Sequence, residues 1–169
     1  MVWDAIIAGY LFLAGTGAGA FALAVIASWV NPDVKVMRRV GLFTALIAVG
    51  VGCLLLMVDA RAGLANPLRF FNLIANLQSV MAWGVIILVC FMAVVFVELV
   101  LNLIGKKTPR VLDAIGLVLS LGVAIYTGVL LGDAPGFPLW NIAVLPILFV
   151  VSAASTGFAA VVAITYLLK

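Results

Sequence analysis

Five runs of this sequence are each long and apolar enough to cross the hydrocarbon of a bilayer: Ala5–Val30, Val40–Val58, Ser79–Ile104, Ala114–Leu131 and Ile142–Leu168. A spanning helix needs about 20 such residues. Only Glu98, near the end of the third run, interrupts the pattern with a charge. Spanning β-strands would alternate apolar and polar residues over about ten positions, and no stretch does so. The fold class expected is therefore all-α integral membrane, with five transmembrane helices. Composition agrees: 67% of the 169 residues are hydrophobic and 9% are charged, whereas a soluble domain carries about a quarter charged residues. A cytosolic enzyme is excluded, and so is a disordered chain, which needs low hydrophobicity and high charge.

The first run is too long for a signal-peptide core, and Met1-Val2-Trp3-Asp4 lacks the basic start of such peptides. It reads as a retained helix. Pro146 falls one turn into the fifth run, a place where proline is tolerated but can kink a helix. The first four helices are expected to form a bundle over residues 1–135. The fifth, within 136–169, would open a second and incomplete bundle. A weak internal repeat points the same way: Leu11-Phe12 and Phe21-Ala22 bracket a small-residue run, as do Leu148-Phe149 and Phe158-Ala159 at the same offset.

Basic residues set the expected orientation. Lys35, Arg38, Arg39, Lys106, Lys107, Arg110 and Lys169 fall on one side, against Arg61 and Arg69 on the other. By the positive-inside rule the N-terminus is outside and the C-terminus cytoplasmic. The short clusters separated by apolar runs are not a nucleic-acid footprint. The outer connection from Asp59 to Gln78 carries Leu64, Leu68, Phe70, Phe71, Leu73 and Ile74. That apolar load suits a segment folded back over the bundle as a lid, or lying in the interface.

The sequence has no histidine, which rules out a bis-histidine haem and a histidine-based triad. Cys53 and Cys90 are too few for an iron–sulfur cluster in this chain, and read as small hydrophobes. Intramembrane polar groups are costly and therefore informative. Tyr10 and Tyr126 each lie roughly 8 Å below the outer end of their helices, with Thr16 deeper. Asp59 closes the second helix, and Ser79 and Trp83 open the third. Together they outline an apolar site with a few convergent polar groups near the outer face, suited to an amphipathic ligand.

Plainer readings exist for each. Gly15, Gly17 and Gly19 contain a GxxxG spacing that allows close helix packing, and no strand precedes them to make a dinucleotide loop. Tyr10 and Trp83 suit interfacial aromatics. Asp59 suits an interfacial charge paired with Arg61 or Arg69. Glu98 lies roughly 28 Å below Ser79, where snorkelling to inner water would explain it. The sharper alternative makes it the inner end of a proton route.

Several segments, in this order, resemble the NrfD-like family, the membrane subunits of polysulfide reductase and related respiratory complexes. They are Tyr10-Leu11-Phe12-Leu13-Ala14-Gly15, Asp59 with Asn66-Pro67-Leu68-Arg69-Phe70, Ser79-Val80-Met81-Ala82-Trp83-Gly84, Tyr126-Thr127-Gly128, Pro138-Leu139-Trp140-Asn141 and Ser155-Thr156-Gly157. The resemblance implies two four-helix bundles and a quinone site, for menaquinone or ubiquinone, at the outer side of the first. It implies no haem, and electron exchange with a peripheral iron–sulfur subunit. That subunit would serve a molybdenum catalytic subunit or a multihaem cytochrome c, in the cytoplasmic membrane of a prokaryote. A second membrane protein or a second copy would complete the missing bundle. The interval from Asp59 to Pro67 is longer than the family's compact turn, and the histidine some relatives place at the quinone has no counterpart here.

The resulting expectation is a quinone-reactive subunit, not an enzyme alone. Tyr126 would hydrogen-bond a quinone carbonyl and Asp59 would exchange the proton. Thr16, Ser79 and Trp83 would line the pocket, while Arg61 and Arg69 would hold the lid or tune Asp59. The rivals are a structural anchor for a peripheral redox enzyme and a small ion-coupled transporter using Asp59 or Glu98.

Overall fold

The computed structural model describes residues 5–59, 80–132 and 144–168, with the side chains of 5–6, 57–59 and 80–81 excepted. These residues form five helices: α1 Ala5–Val30, α2 Lys35–Asp59, α3 Val80–Leu103, α4 Arg110–Gly132 and α5 Leu145–Leu167. All five are long and apolar enough to cross a membrane, as expected. The fit to the apolar runs is closest for α1. In contrast, α2 starts at Lys35, before the run beginning at Val40, and α4 starts at Arg110, before Ala114. Backbone hydrogen bonding continues past the apolar stretch because long basic side chains can reach water or a partner from within a helix.

Local chemistry sets the helix ends. Between α1 and α2, the Asn31 side-chain oxygen accepts from the Asp33 N–H at 3.0 Å, closing a tight turn. After α3, Gly105 takes φ 78°, and the Lys106 N–H returns to the Leu101 carbonyl at 3.0 Å. This is the left-handed glycine stop that satisfies the last helical carbonyls. Pro146 is the second residue of α5, where its missing N–H would have had no intrahelical acceptor, so it starts the helix and does not kink it.

Helices α1 to α4 form an up-and-down bundle in which α1 and α3 are diagonal, each packed between α2 and α4. Across the diagonal, Phe21 and Phe91 meet edge-to-face with ring centroids 5.3 Å apart. Both are fully buried, together with Val25, Val49, Val95 and Val123. Helix α5 packs outside this bundle, against α1, α4 and α2. Four helices and an appended fifth therefore stand as expected.

The α1–α5 seam explains the glycine run. Gly15 meets Ala153, and Gly19 meets Ala153 and Gly157, so closely that a Cβ at 19 or 157 would strike the opposite backbone. The pairs advance together along both helices, so α1 and α5 run parallel. Small residues four apart on both helices let the backbones approach, the usual route to tight packing where lipid supplies no hydrophobic drive. Large apolar side chains cover the outside, among them Phe12, Ile47, Leu54, Phe96, Val118 and Val151. In water such a surface would aggregate; in hydrocarbon it is the solvated face.

Candidate functional site

Near the N-terminal end of α1, two phenol side chains are buried in the bundle. Tyr10 of α1 is 1% exposed and Tyr126 of α4 is 5% exposed. They lie within electrostatic reach of each other, with the Cys53 thiol of α2 beside Tyr10. Yet neither hydroxyl makes a hydrogen bond of good geometry among the described residues. The sequence permits this placement through small neighbours. Gly84 of α3 leaves room for the Tyr126 ring, and Gly52 of α2 lies against Tyr10. A buried hydroxyl without a partner costs about 1–3 kcal/mol, and such exceptions call for an explanation in terms of a missing partner.

Tyr126, the ligand contact expected from the sequence, is a buried residue of the bundle core. Tyr10 is not an interfacial aromatic; it belongs to the core. Thr16 has another role: its hydroxyl donates to the Phe12 carbonyl at 2.8 Å and lies 3.3 Å from the Thr156 hydroxyl, so it serves the α1–α5 seam. The Trp83 indole is 55% exposed, on the outer surface of α3. Asp59 ends α2, but its side chain, together with Arg61, Arg69, Ser79, the connection through Gln78 and the segment Pro138 to Asn141, lies outside the described residues.

At the opposite end, the bundle contains a charged cluster that sequence reasoning missed. Arg38 of α2 points inward and its guanidinium meets Asp113 of α4 at 2.6 Å and Glu98 of α3 at 3.2 Å. It also donates to Ser28 of α1 at 2.7 Å and to the hydroxyl of Thr108. The Trp29 indole N–H donates to the second Asp113 oxygen at 2.9 Å. Glu98 is 0% exposed, so it does not snorkel to water. Its partner was hidden because Arg38 reads as one of three loop cations, while the pairing joins positions 60 and 75 residues away.

Two cavities open at this end. One, of about 600 Å³, is lined by Arg38 and Asp113 and by the cations Lys35, Arg39, Lys106, Lys107 and Arg110. The other, of about 510 Å³, is a largely apolar groove between α2 and the end of α5, with Lys35 and Arg39 at its mouth. Neither is lined by Tyr10 or Tyr126. Between the two polar levels lies the apolar layer of Phe21, Phe91 and Val95. Among the described residues no three His, Cys, Asp or Glu side chains are grouped to hold a metal ion. Cys53 and Cys90 are free thiols.

Residues 1–169 match the family described as polysulphide reductase, NrfD. The protein belongs to this family. It is 34% identical over 181 residues to the C subunit of polysulfide reductase from Wolinella succinogenes, covering 93% of the present sequence and 56% of that protein. It is 33% identical over 185 residues to the protein NrfD of Escherichia coli K12, covering 94% of the present sequence and 58% of that one. A NrfD homologue from Haemophilus influenzae is 31% identical over 189 residues, at 95% and 58% coverage. No solved structure gives a significant match.

The NrfD resemblance read from the motifs is thereby established. The sequence spans little more than half the length of these curated relatives.

Proposed function

We propose that this protein forms the haem-free, quinone-binding part of a respiratory oxidoreductase's membrane subunit, passing electrons to or from a peripheral iron–sulfur subunit. The carrying observation is the pair of buried phenols, Tyr10 and Tyr126, whose neighbouring hydroxyls make no hydrogen bond of good geometry among the described residues. Two O–H donors converging in an apolar setting fit a carbonyl-bearing, amphipathic ligand. A quinone bound there supplies the electron and proton chemistry, which the protein's own side groups do not supply alone.

The protein's part is binding, orientation and proton handling. Tyr126 donates to a carbonyl oxygen, and Tyr10 donates to the same oxygen or supports Tyr126. Gly84 leaves the space that the Tyr126 ring occupies. Asp59, at the end of α2, exchanges the proton with water. In this reading Ser79 and Trp83 contact the quinone, and Arg61 and Arg69 tune Asp59. The excess of seven basic residues over two supports an orientation with this tyrosine end toward the outer face and the Arg38 end toward the cytoplasm. The Wolinella succinogenes relative is one lettered subunit of polysulfide reductase, which supports a multisubunit enzyme. A molybdenum catalytic subunit or a multihaem cytochrome c would complete the electron path. The family members' additional length would supply the second bundle.

The test is the quinone content of the detergent-purified complex, compared among wild type, Tyr10→Phe, Tyr126→Phe and Asp59→Asn. Bound quinone that falls in the tyrosine variants, with subunit composition unchanged, supports the site. Wild-type complex that contains no quinone and takes none up when it is added back leaves a structural anchor.

A further inference from the structure

The charge count of the buried cluster at the Arg38 end does not balance. One guanidinium faces two carboxylates, Glu98 and Asp113, and both acids are at most 2% exposed. Lys35, Arg39, Lys106, Lys107 and Arg110 line the neighbouring cavity, but none forms an ion pair with these acids among the described residues. Helix α5 carries no charged residue. An uncompensated carboxylate in such a place is strongly disfavoured, and the ordinary relief is to bind a proton.

Geometry tells the two acids apart. Asp113 is in the first turn of α4, where the helix dipole favours a negative charge. It accepts from Arg38 at 2.6 Å and from Trp29 at 2.9 Å, so both its oxygens are engaged. Glu98 lies toward the C-terminal end of α3, where the dipole opposes a negative charge. Its single contact with Arg38 is the longer one, 3.2 Å, and charge-assisted pairs are normally shorter. Its other oxygen, Oε1, is buried and has no partner among the described residues.

We infer that Glu98 carries a proton in the resting protein and exchanges it with water in the cavity at the basic end, with Arg38 standing between them. In the resting state the proton is on Glu98, Arg38 is paired with ionised Asp113, and the cluster is neutral. For release, the Glu98 O–H passes its proton to a water of the cavity, giving a carboxylate and a hydronium ion, and Arg38 shifts toward Glu98. Uptake is the reverse. Arg38 and Asp113 line the cavity while Glu98 does not, so movement of the guanidinium is what opens the path. This goes beyond the quinone reading, which concerns the other end of the bundle.

The experiment is infrared spectroscopy of the full-length membrane subunit in its complex at neutral pH. A protonated-carboxyl carbonyl band is expected in wild type and absent from Glu98→Gln. Transfer to heavy water should shift the band to lower frequency, reporting exchange with the cavity. Asp113→Asn should also abolish it, because Glu98 then becomes the sole counter-ion of Arg38 and ionises. A wild-type complex without the band, or a band that survives Glu98→Gln, overturns the assignment. A Glu98 band that does not shift in heavy water overturns the exchange. Because the readout does not involve quinone, its failure is distinguishable from failure of the proposed quinone site.

Discussion

The ring of Tyr126 occupies the space that a side chain at position 84 would need: a Cβ built on Gly84 would lie against the ring face, nearest its Cζ. The contact joins α3 to α4 and sets the direction of the phenol hydroxyl. Gly84→Ala must displace an aromatic ring, an overpacking that costs about 1–3 kcal/mol. The expected outcome is a lower melting temperature and a loss of bound quinone that Tyr126→Phe, which keeps the ring, shows without the stability loss. Melting curves of the two purified variants compare these effects directly.

Tyr10 and Tyr126 give a second prediction because neither buried hydroxyl makes a hydrogen bond of good geometry among the described residues. Removing a buried, unmet hydroxyl relieves a penalty of about 1–3 kcal/mol. Quinone-free Tyr10→Phe and Tyr126→Phe proteins should therefore be as stable as wild type or more so, while quinone binding weakens in both. A clear stability loss in either variant would mean that its hydroxyl is bonded within the protein, and would remove it as a ligand contact.

The α1–α5 seam can be tested separately from the bundle. Gly19 and Gly157 approach so closely that neither tolerates a Cβ without movement of the opposing backbone. Gly157→Leu should release α5 from α1 while α1 to α4 stay assembled, since the four helices pack around the Phe21–Phe91 pair without it. Cysteine cross-linking between α1 and α5 should fall sharply in this variant, with cross-linking between α1 and α2 retained.

The helices were legible because an apolar run of this length has few alternatives, and the GxxxG spacing at Gly15 and Gly19 correctly announced close packing. Their ends were less so. Hydropathy stops at the first charge, but α2 continues back through Arg39 and Arg38 to Lys35. Tyr126 could be singled out from its depth and its glycine neighbours. Tyr10 is at comparable depth, but depth alone does not distinguish a lipid-facing phenol from a buried one. The Arg38–Glu98–Asp113 cluster was illegible for a similar reason. Each residue has a simple local reading, as loop cation, snorkelling acid or helix-start acid, and only the packing of three helices brings them together.

Arg38 supplies the last prediction, because it is the only cation paired with either buried acid among the described residues. Breaking a buried pair by removing one partner typically costs about 3–5 kcal/mol, since the remaining charge is left without compensation. Arg38→Gln should lose stability on that scale, with less dependence on salt than an exposed pair shows, because both acids are at most 2% exposed. The rescue pattern identifies which acid is charged. If Glu98 is already neutral, Arg38→Gln combined with Asp113→Asn should recover most of the loss, whereas combining it with Glu98→Gln should recover little. Equal rescue by the two second-site changes would show the negative charge to be shared between the acids. Thermal melts of the three variants and wild type, at low and high salt, decide between these outcomes.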